Sequence, residues 1–223
     1  MCGFVGLFLP VEADIATPNL NIMMKAIAHR GPDGEGRYIS DDRRTVLGFV
    51  RLAIIDINSG DQPLLNKDHG AVMVGNGEIY NYREIRADTR LLGFPFKTQG
   101  DMEPAFALSL QTGVEFVKEL RGMFALAIVE SQPHRLTLVR DRFGIKPLYW
   151  TVLEGGGILF ASEIKALFAS GLLKPEVDEC AVSDYLSHGW IPTPRTFYKG
   201  IQAVPAGHTM TVDAAGNIKF WNY

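Results

Sequence analysis

After Gly122, three pairs of short apolar runs follow one another in this 223-residue chain, each pair folded about a tight turn. "MFALAIVE" (123–130) and "RLTLVRD" (135–141) flank Ser131–His134, and "KPLYWTV" (146–152) and "ILFASE" (158–163) flank Gly155–Gly157. "HTMTV" (208–212) and "IKFW" (218–221) flank Gly216-Asn217. Runs joined by so few residues pair as antiparallel hairpins, because a parallel crossover needs about a dozen residues or more. The pattern excludes alternating βαβ units. It predicts an α+β fold, with antiparallel sheets and helices packed on their faces.

The first half supplies the helices and further strands. Gly3–Leu9 reads as a buried strand ended by Pro10, and "AVMVGN" (71–76) as another. "TVLGFVRLAIID" (45–56) reads as one continuous apolar strand with a single basic residue, Arg51, in its middle. Thr17-Pro18 predicts a cap and first turn for a helix through Leu20, Met23 and Ile27, ending at the turn-rich "HRGPDGEG" (29–36). Helical spacing also marks Tyr82–Leu92 before Gly93, and 102–112 between Asp101 and Gly113, with a further turn or two over 114–121. Ile164–Ala169 and Cys180–Leu186 complete the set. No repeat or low-complexity linker divides the sequence, so 1–223 reads as one domain, with 175–223 as a C-terminal appendage.

Composition narrows the classes of function. With 47% hydrophobic and 21% charged residues the chain can bury a proper core. A formal charge of −3 and a pI near 6.0 offer no basic face to nucleic acid. No apolar run reaches the length of a membrane span, and Phe4–Leu9 lacks the basic leader of a signal peptide. Two cysteines as far apart as Cys2 and Cys180 make no disulfide framework, so a cytoplasmic protein is expected. Neither a phosphate-binding glycine loop nor metal-ligand spacing occurs, and neither a nucleotide nor a metal is expected here.

Five places carry chemistry. Cys2 follows the initial Met1. It is either a small hydrophobe at a strand end or, once Met1 is removed, a thiol with an adjacent α-amine. A free α-amine titrates at about 7.7–8.0, so near neutral pH it is a usable base for that thiol. "NGEIYN" (76–81) is either a hairpin turn at Asn76-Gly77 or a pair of donors, amide and backbone N–H, for a developing oxyanion. Arg51, in a strand that otherwise reads as core, needs either a structural ion pair or a ligand carboxylate. Asp101 reads as the cap of the following helix, and Glu78 as a charge after a turn.

Taken in order, "MCGFVG", "HRGPDG", "RLAIID", "NGEIYN", "GDME", "RDRFGIKPLYW" and "FASEIKAL" resemble the N-terminal glutaminase domain of asparagine synthetases. This is a class II glutamine amidotransferase domain of the N-terminal-nucleophile (Ntn) hydrolase type, and the resemblance covers essentially the whole chain. It implies a four-layer αββα sandwich of two stacked antiparallel sheets. It implies that Cys2, as mature N-terminus, attacks the side-chain amide of glutamine and releases ammonia through a thioester. Asn76 and Gly77 would be the oxyanion donors. Arg51, helped by backbone groups of Leu52, Ala53, Ile54 and Ile55, would hold the substrate carboxylate, and Glu78 with Asp101 its α-amine. Two departures, Phe49-Val50 before the arginine and "QGDME" in place of Ser-Asp-Thr-Glu, would reshape the pocket without removing these contacts. The Ser-Gly-Gly-x-Asp-Ser loop of the ATP-dependent synthetase half is not in the sequence. ATP and magnesium are therefore expected only in a separate synthetase domain or subunit that receives the ammonia, and a homodimer is compatible with this reading. The competing readings are an Ntn amidase with another substrate and a non-catalytic docking module.

Overall fold

The computed structural model describes residues 1–10 and 18–223. Its strands, numbered along the chain, are β1 (Gly3–Phe8), β2 (Gly34–Ile39), β3 (Thr45–Arg51), β4 (Leu64–Asn66), β5 (Ala71–Ile79) and β6 (Gly122–Ser131). They continue as β7 (His134–Arg140), β8 (Tyr149–Val152), β9 (Ile158–Ala161), β10 (Gln202–Ala203), β11 (His208–Val212) and β12 (Ile218–Asn222). The helices are α1 (Leu20–Ala26), α2 (Tyr82–Arg86), α3 (Met102–Thr112), α4 (Ile164–Ala169) and α5 (Glu179–His188). Two six-stranded antiparallel sheets result, ordered β10-β8-β9-β1-β3-β2 and β12-β11-β7-β6-β5-β4. The three expected hairpins are β6–β7, β8–β9 and β11–β12.

Three apolar clusters define the layers. Phe4, Phe8, Leu47 and Phe49 of the first sheet meet Val74, Ala125, Ala127 and Leu138 of the second, and form the core between the sheets. On the outer face of the first sheet, Val5, Leu7 and Val50 pack on Met23, Met24 and Ile27 of the α1 segment and on Leu167 of α4. On the outer face of the second, Met73, Leu126 and Ile128 pack on Ala105, Phe106 and Leu108 of α3. Alternate residues of β1 thus serve different layers, as the two-residue period of a strand requires. The sandwich is αββα.

Several expectations change. The expected cap Thr17 lies outside the described residues; α1 starts at Leu20, and the Asn19 side chain accepts the Ile22 N–H. The last three residues of the expected turn "HRGPDGEG" instead open the edge strand β2, with alternating half-buried and exposed residues. Tyr82–Leu92 divides into α2 and a 3₁₀ turn at Thr89–Leu91, and Gly113–Glu119 is 3₁₀ as well. The segment 175–223 is not an appendage. It places β10 in the first sheet and β11–β12 in the second, and its Val204, Met210 and Val212 are buried between them. The last hairpin needs β7 as its neighbour: two strands alone are marginal in water, and a sheet edge supplies the missing partner.

Candidate active site

β1 and β5 come from different sheets, and their ends open onto one cavity of about 150 Å³. Cys2, Arg51, Leu52, Ile54, Ile55, Asn76, Gly77, Glu78 and Asp101 all line it. Of the sequence-predicted residues only Ala53 stays out of the wall. Its N–H is taken by the Asp33 carboxylate at 2.8 Å. Cys2 stands immediately before β1, its carbonyl oxygen fixed by Arg30 Nε at 2.9 Å. The Sγ donates to the Leu52 carbonyl at 3.4 Å and accepts the Leu52 N–H at 3.3 Å.

Arg51 ends β3 instead of standing in mid-strand. Its Nη1 donates to the Ile57 carbonyl at 3.1 Å and to Asp61 Oδ1 at 2.8 Å, and Nη2 donates to the Asp56 carbonyl. Those bonds reach five to ten residues ahead and turn the chain out of the sheet. The apolar run 52–56 is therefore a loop over the cavity, with Ile54 71% exposed, and not a strand. Asp56 secures that loop to the next one, accepting Ser59 N at 3.1 Å and Gln99 N at 2.7 Å. Against its burial, these bonds and the Arg51 charge hold the Asp56 carboxyl below the usual carboxylate range.

β5 runs straight through Asn76-Gly77, which is no hairpin turn: Asn76 pairs with Ala125 and Gly77 with Phe124 of β6. Gly77 has φ of 147°, and a Cβ there would collide with the Met123 carbonyl oxygen, so only glycine fits. Gln62 braces the approach to this point. Its side-chain amide accepts Gly75 N at 2.6 Å and donates to Gly75 O at 3.1 Å, like a short extra strand. Asn76 is 1% exposed, yet its Nδ2 has no hydrogen-bond partner among the described residues. A buried donor left unmade costs about 1–3 kcal/mol. Of the buried side-chain atoms without a partner among the described residues, it alone belongs to a residue that lines this cavity.

Asp101 precedes α3 but does not cap it with its side chain. Its Oδ2 accepts the Ile79 N–H at 2.7 Å instead, which turns the carboxylate toward β5 and Glu78. Burial, and then the Glu78 charge, push the Asp101 carboxyl above its usual range, although the Ile79 N–H pulls the other way. Two acids therefore share one wall, and neither has a basic partner within salt-bridge range among the described residues. Glu103 also lines the cavity, but it is occupied locally, accepting Thr98 N and Thr98 Oγ1 at 2.7 and 2.8 Å. Among the described residues no group of three or more His, Cys, Asp or Glu side chains is placed to hold a metal ion.

Sequence reasoning missed Gln62, Met123 and Lys146, all in the same wall. Gln62 and Met123 carry no local signal. Lys146 lies inside the motif "RDRFGIKPLYW", but nothing in the motif alone says that its side chain enters a cavity.

Comparison with known proteins fits this geometry. The sequence pattern of the family described as a glutamine amidotransferase domain matches residues 1–223. The chain is 38% identical to asparagine synthetase [glutamine-hydrolyzing] 1 of Bacillus subtilis, over all of this chain and 35% of that protein. It is 40% identical to asparagine synthetase B [glutamine-hydrolyzing] of Escherichia coli, over 75% of this chain and 30% of that one. It spans about a third of the length of these relatives. The solved glutamine phosphoribosylpyrophosphate amidotransferase of B. subtilis superposes with a TM-score of 0.69 over 99% of this chain and 49% of that one, at 18% identity, a likeness of fold. The chain belongs to the glutamine amidotransferase domain family.

Proposed function

We propose that this domain hydrolyses glutamine to glutamate and ammonia, with Cys2 as nucleophile once it is the N-terminal residue. The observation that carries the reading is the Asn76 amide, a buried donor without a partner among the described residues, in the same cavity wall as Cys2. The α-amine of Cys2 takes the thiol proton, and sulfur attacks the side-chain carbonyl carbon of glutamine. Oxygen gains the negative charge and is met by Asn76 Nδ2 and the Gly77 N–H. As the intermediate collapses, the C–N bond breaks and the α-amine returns its proton to the leaving nitrogen, which departs as ammonia. Water then adds to the thioester, the C–S bond breaks, and glutamate and the thiol are released. One water is consumed for each glutamine.

The rest of the wall fits a free amino acid. Glu78 and Asp101 have no basic partner within salt-bridge range among the described residues, and an α-ammonium supplies one. Arg51 is bound to Asp61, a partner 80% exposed at its side chain. Arg51 itself is buried, so a substrate carboxylate that replaces Asp61 keeps the guanidinium paired while the exposed acid turns back to water. In this reading the ammonia goes to an ATP- and magnesium-dependent amide-forming site on a further domain or subunit, as the asparagine synthetase relatives suggest. A second reading, an amidase with another substrate, draws on the 38% identity to amidase chry2 of Gibberella zeae over 88% of this chain. The acid pair separates the two, because it selects for a free α-ammonium.

The deciding experiment treats the protein with glutamine and with an electrophilic glutamine analogue, with intact mass reporting whether Met1 is present. Ammonia release and one adduct on Cys2 are expected, both lost in Cys2→Ala. Glutaminase activity that survives Cys2→Ala overturns the proposal.

Asp101 supplies a further prediction. A carboxyl raised by burial costs folding energy wherever it is ionised, a cost absent below its unfolded value and complete above its folded one. Asp101→Asn is therefore expected to raise the melting temperature of the ligand-free protein at pH 7. The same change is expected to raise the KM for glutamine about 10- to 100-fold, the loss of a charge-assisted bond. In the unaltered protein, KM should climb as pH falls through the range above 3.8 where Asp101 protonates. A KM that is flat with pH and insensitive to Asp101→Asn would remove Asp101 from amine recognition.

A further inference from the structure

Lys146 is 4% exposed and lines the cavity with Cys2, but it has no carboxylate partner within salt-bridge range among the described residues. Its Nζ donates to the Met1 Sδ at 3.1 Å. A thioether is a weak acceptor, and burying an ammonium against one is costly. The surrounding structure nevertheless holds Lys146 firmly in place. Its N–H donates to Asp141 Oδ2 at 3.0 Å, and its carbonyl accepts Arg140 Nε at 3.0 Å. Two charged side chains are thus spent on fixing one turn. That turn delivers a cation to the wall of the cavity that Cys2 also lines, where, among the described residues, the Met1 Sδ is the one hydrogen-bond partner of its Nζ. Loss of Met1 removes that acceptor and leaves Nζ facing the reacting groups.

We propose that Lys146 is a positioning residue for the Cys2 nucleophile, supplying a fixed positive charge that favours negative charge on sulfur and disfavours a proton on the neighbouring α-amine. Both effects act in the same direction. An ammonium close to sulfur attracts the thiolate, and it repels a second ammonium at the chain terminus. The acids of the site do not cancel this charge. Asp101 is turned to Ile79, Glu103 to Thr98, and Glu78 stands with Asp101 at the β5 wall. In the form that carries Met1, the Sδ stands against Nζ, and the cation is open to the reacting groups once Met1 is removed. The proposal rests on Cys2 being the glutaminase nucleophile, but its test can be read separately.

The test uses the Met1-free protein with Cys180→Ser, so that Cys2 is the one thiol, and compares Lys146→Met, Lys146→Arg and the parent. Cys2 is alkylated with iodoacetate and with iodoacetamide across pH. The cation should favour the anionic reagent, so the iodoacetate-to-iodoacetamide rate ratio is expected to fall about tenfold in Lys146→Met and to be retained in Lys146→Arg. Glutamine turnover should lose about 10- to 100-fold in kcat with KM little changed. A structural role would slow both reagents alike and would not be rescued by arginine. An unchanged ratio and an unchanged kcat in a folded Lys146→Met overturn the proposal, and Lys146→Gln repeats the comparison if the methionine variant melts below assay temperature. A parent with no glutamine turnover but a lysine-dependent ratio would sink the glutaminase reading and leave the charge assignment standing.

Discussion

Replacing Asn76 with alanine is expected to cut the kcat for glutamine about 10²- to 10³-fold while leaving the protein at least as stable as before. The catalytic half rests on one donor: an oxyanion-hole hydrogen bond is worth about 2.7–4 kcal/mol in the transition state, which is that range of rate. The stability half rests on the missing partner. Nδ2 is buried and unbonded in the free protein, so removing it relieves an unmet donor, and the small cavity left behind offsets part of that gain. Losses from general damage to the sheet would show the opposite pattern, a lower melting temperature together with the lower rate. Asn76→Asp is expected to be worse still, because it puts an acceptor and a negative charge where negative charge must develop. Steady-state glutamate production and thermal melts on the same samples check both halves. A kcat within a few-fold of the parent would end the role of Asn76 as an oxyanion donor.

The elements that were legible in the sequence are those whose signal is local. The three hairpins carry alternating or apolar runs about turn residues, and α3 lies between Asp101 and Gly113. β2 was hidden because an edge strand covers only alternate residues, and in "GEGRYI" those half-buried positions are two glycines and a tyrosine, with Ile39 facing out. Asn76-Gly77 misleads for another reason. The dipeptide is a strong turn signal by itself, but β6 pairs with β5 across it and draws it into the sheet. For Arg51 the sequence posed the right question, a charge in an apolar run, without showing that its guanidinium would fold the next ten residues into a loop. Asp101 shows the limit of a local rule. It sits where a cap belongs, but its carboxylate finds a tertiary donor, Ile79 N–H, 22 residues earlier. The ordered motifs assembled Cys2, Arg51, Asn76, Glu78 and Asp101 by resemblance. Lys146 escaped because its place in the cavity depends on Asp141 and Arg140, whose bonds are invisible in a linear reading.

Asp141 carries the largest expected effect on folding. It is fully buried, and its two oxygens accept four backbone N–H groups: Phe143 and Ile145 on Oδ1, Lys146 and Phe124 on Oδ2. Three of those donors belong to the turn that carries Lys146, and the fourth to β6, opposite Gly77. One carboxylate thus ties the Lys146 turn to the sheet that bears the oxyanion donors. Asp141→Ala strands all four donors away from water, each worth about 1–3 kcal/mol when buried and unpaired. Relaxation recovers part of this, and a net loss of at least about 4 kcal/mol is expected. For a chain of this size that corresponds to a fall of about 8–16 °C in melting temperature. Asp141→Asn, which keeps one acceptor oxygen but turns an NH₂ toward the other donors, should lose about half as much. The two variants can be ranked by urea midpoint at constant slope, which separates lost stability from a changed unfolded state. Near-parent midpoints for both would mean that water or a shifted turn satisfies these donors, and that the fixed geometry behind Lys146 does not depend on Asp141.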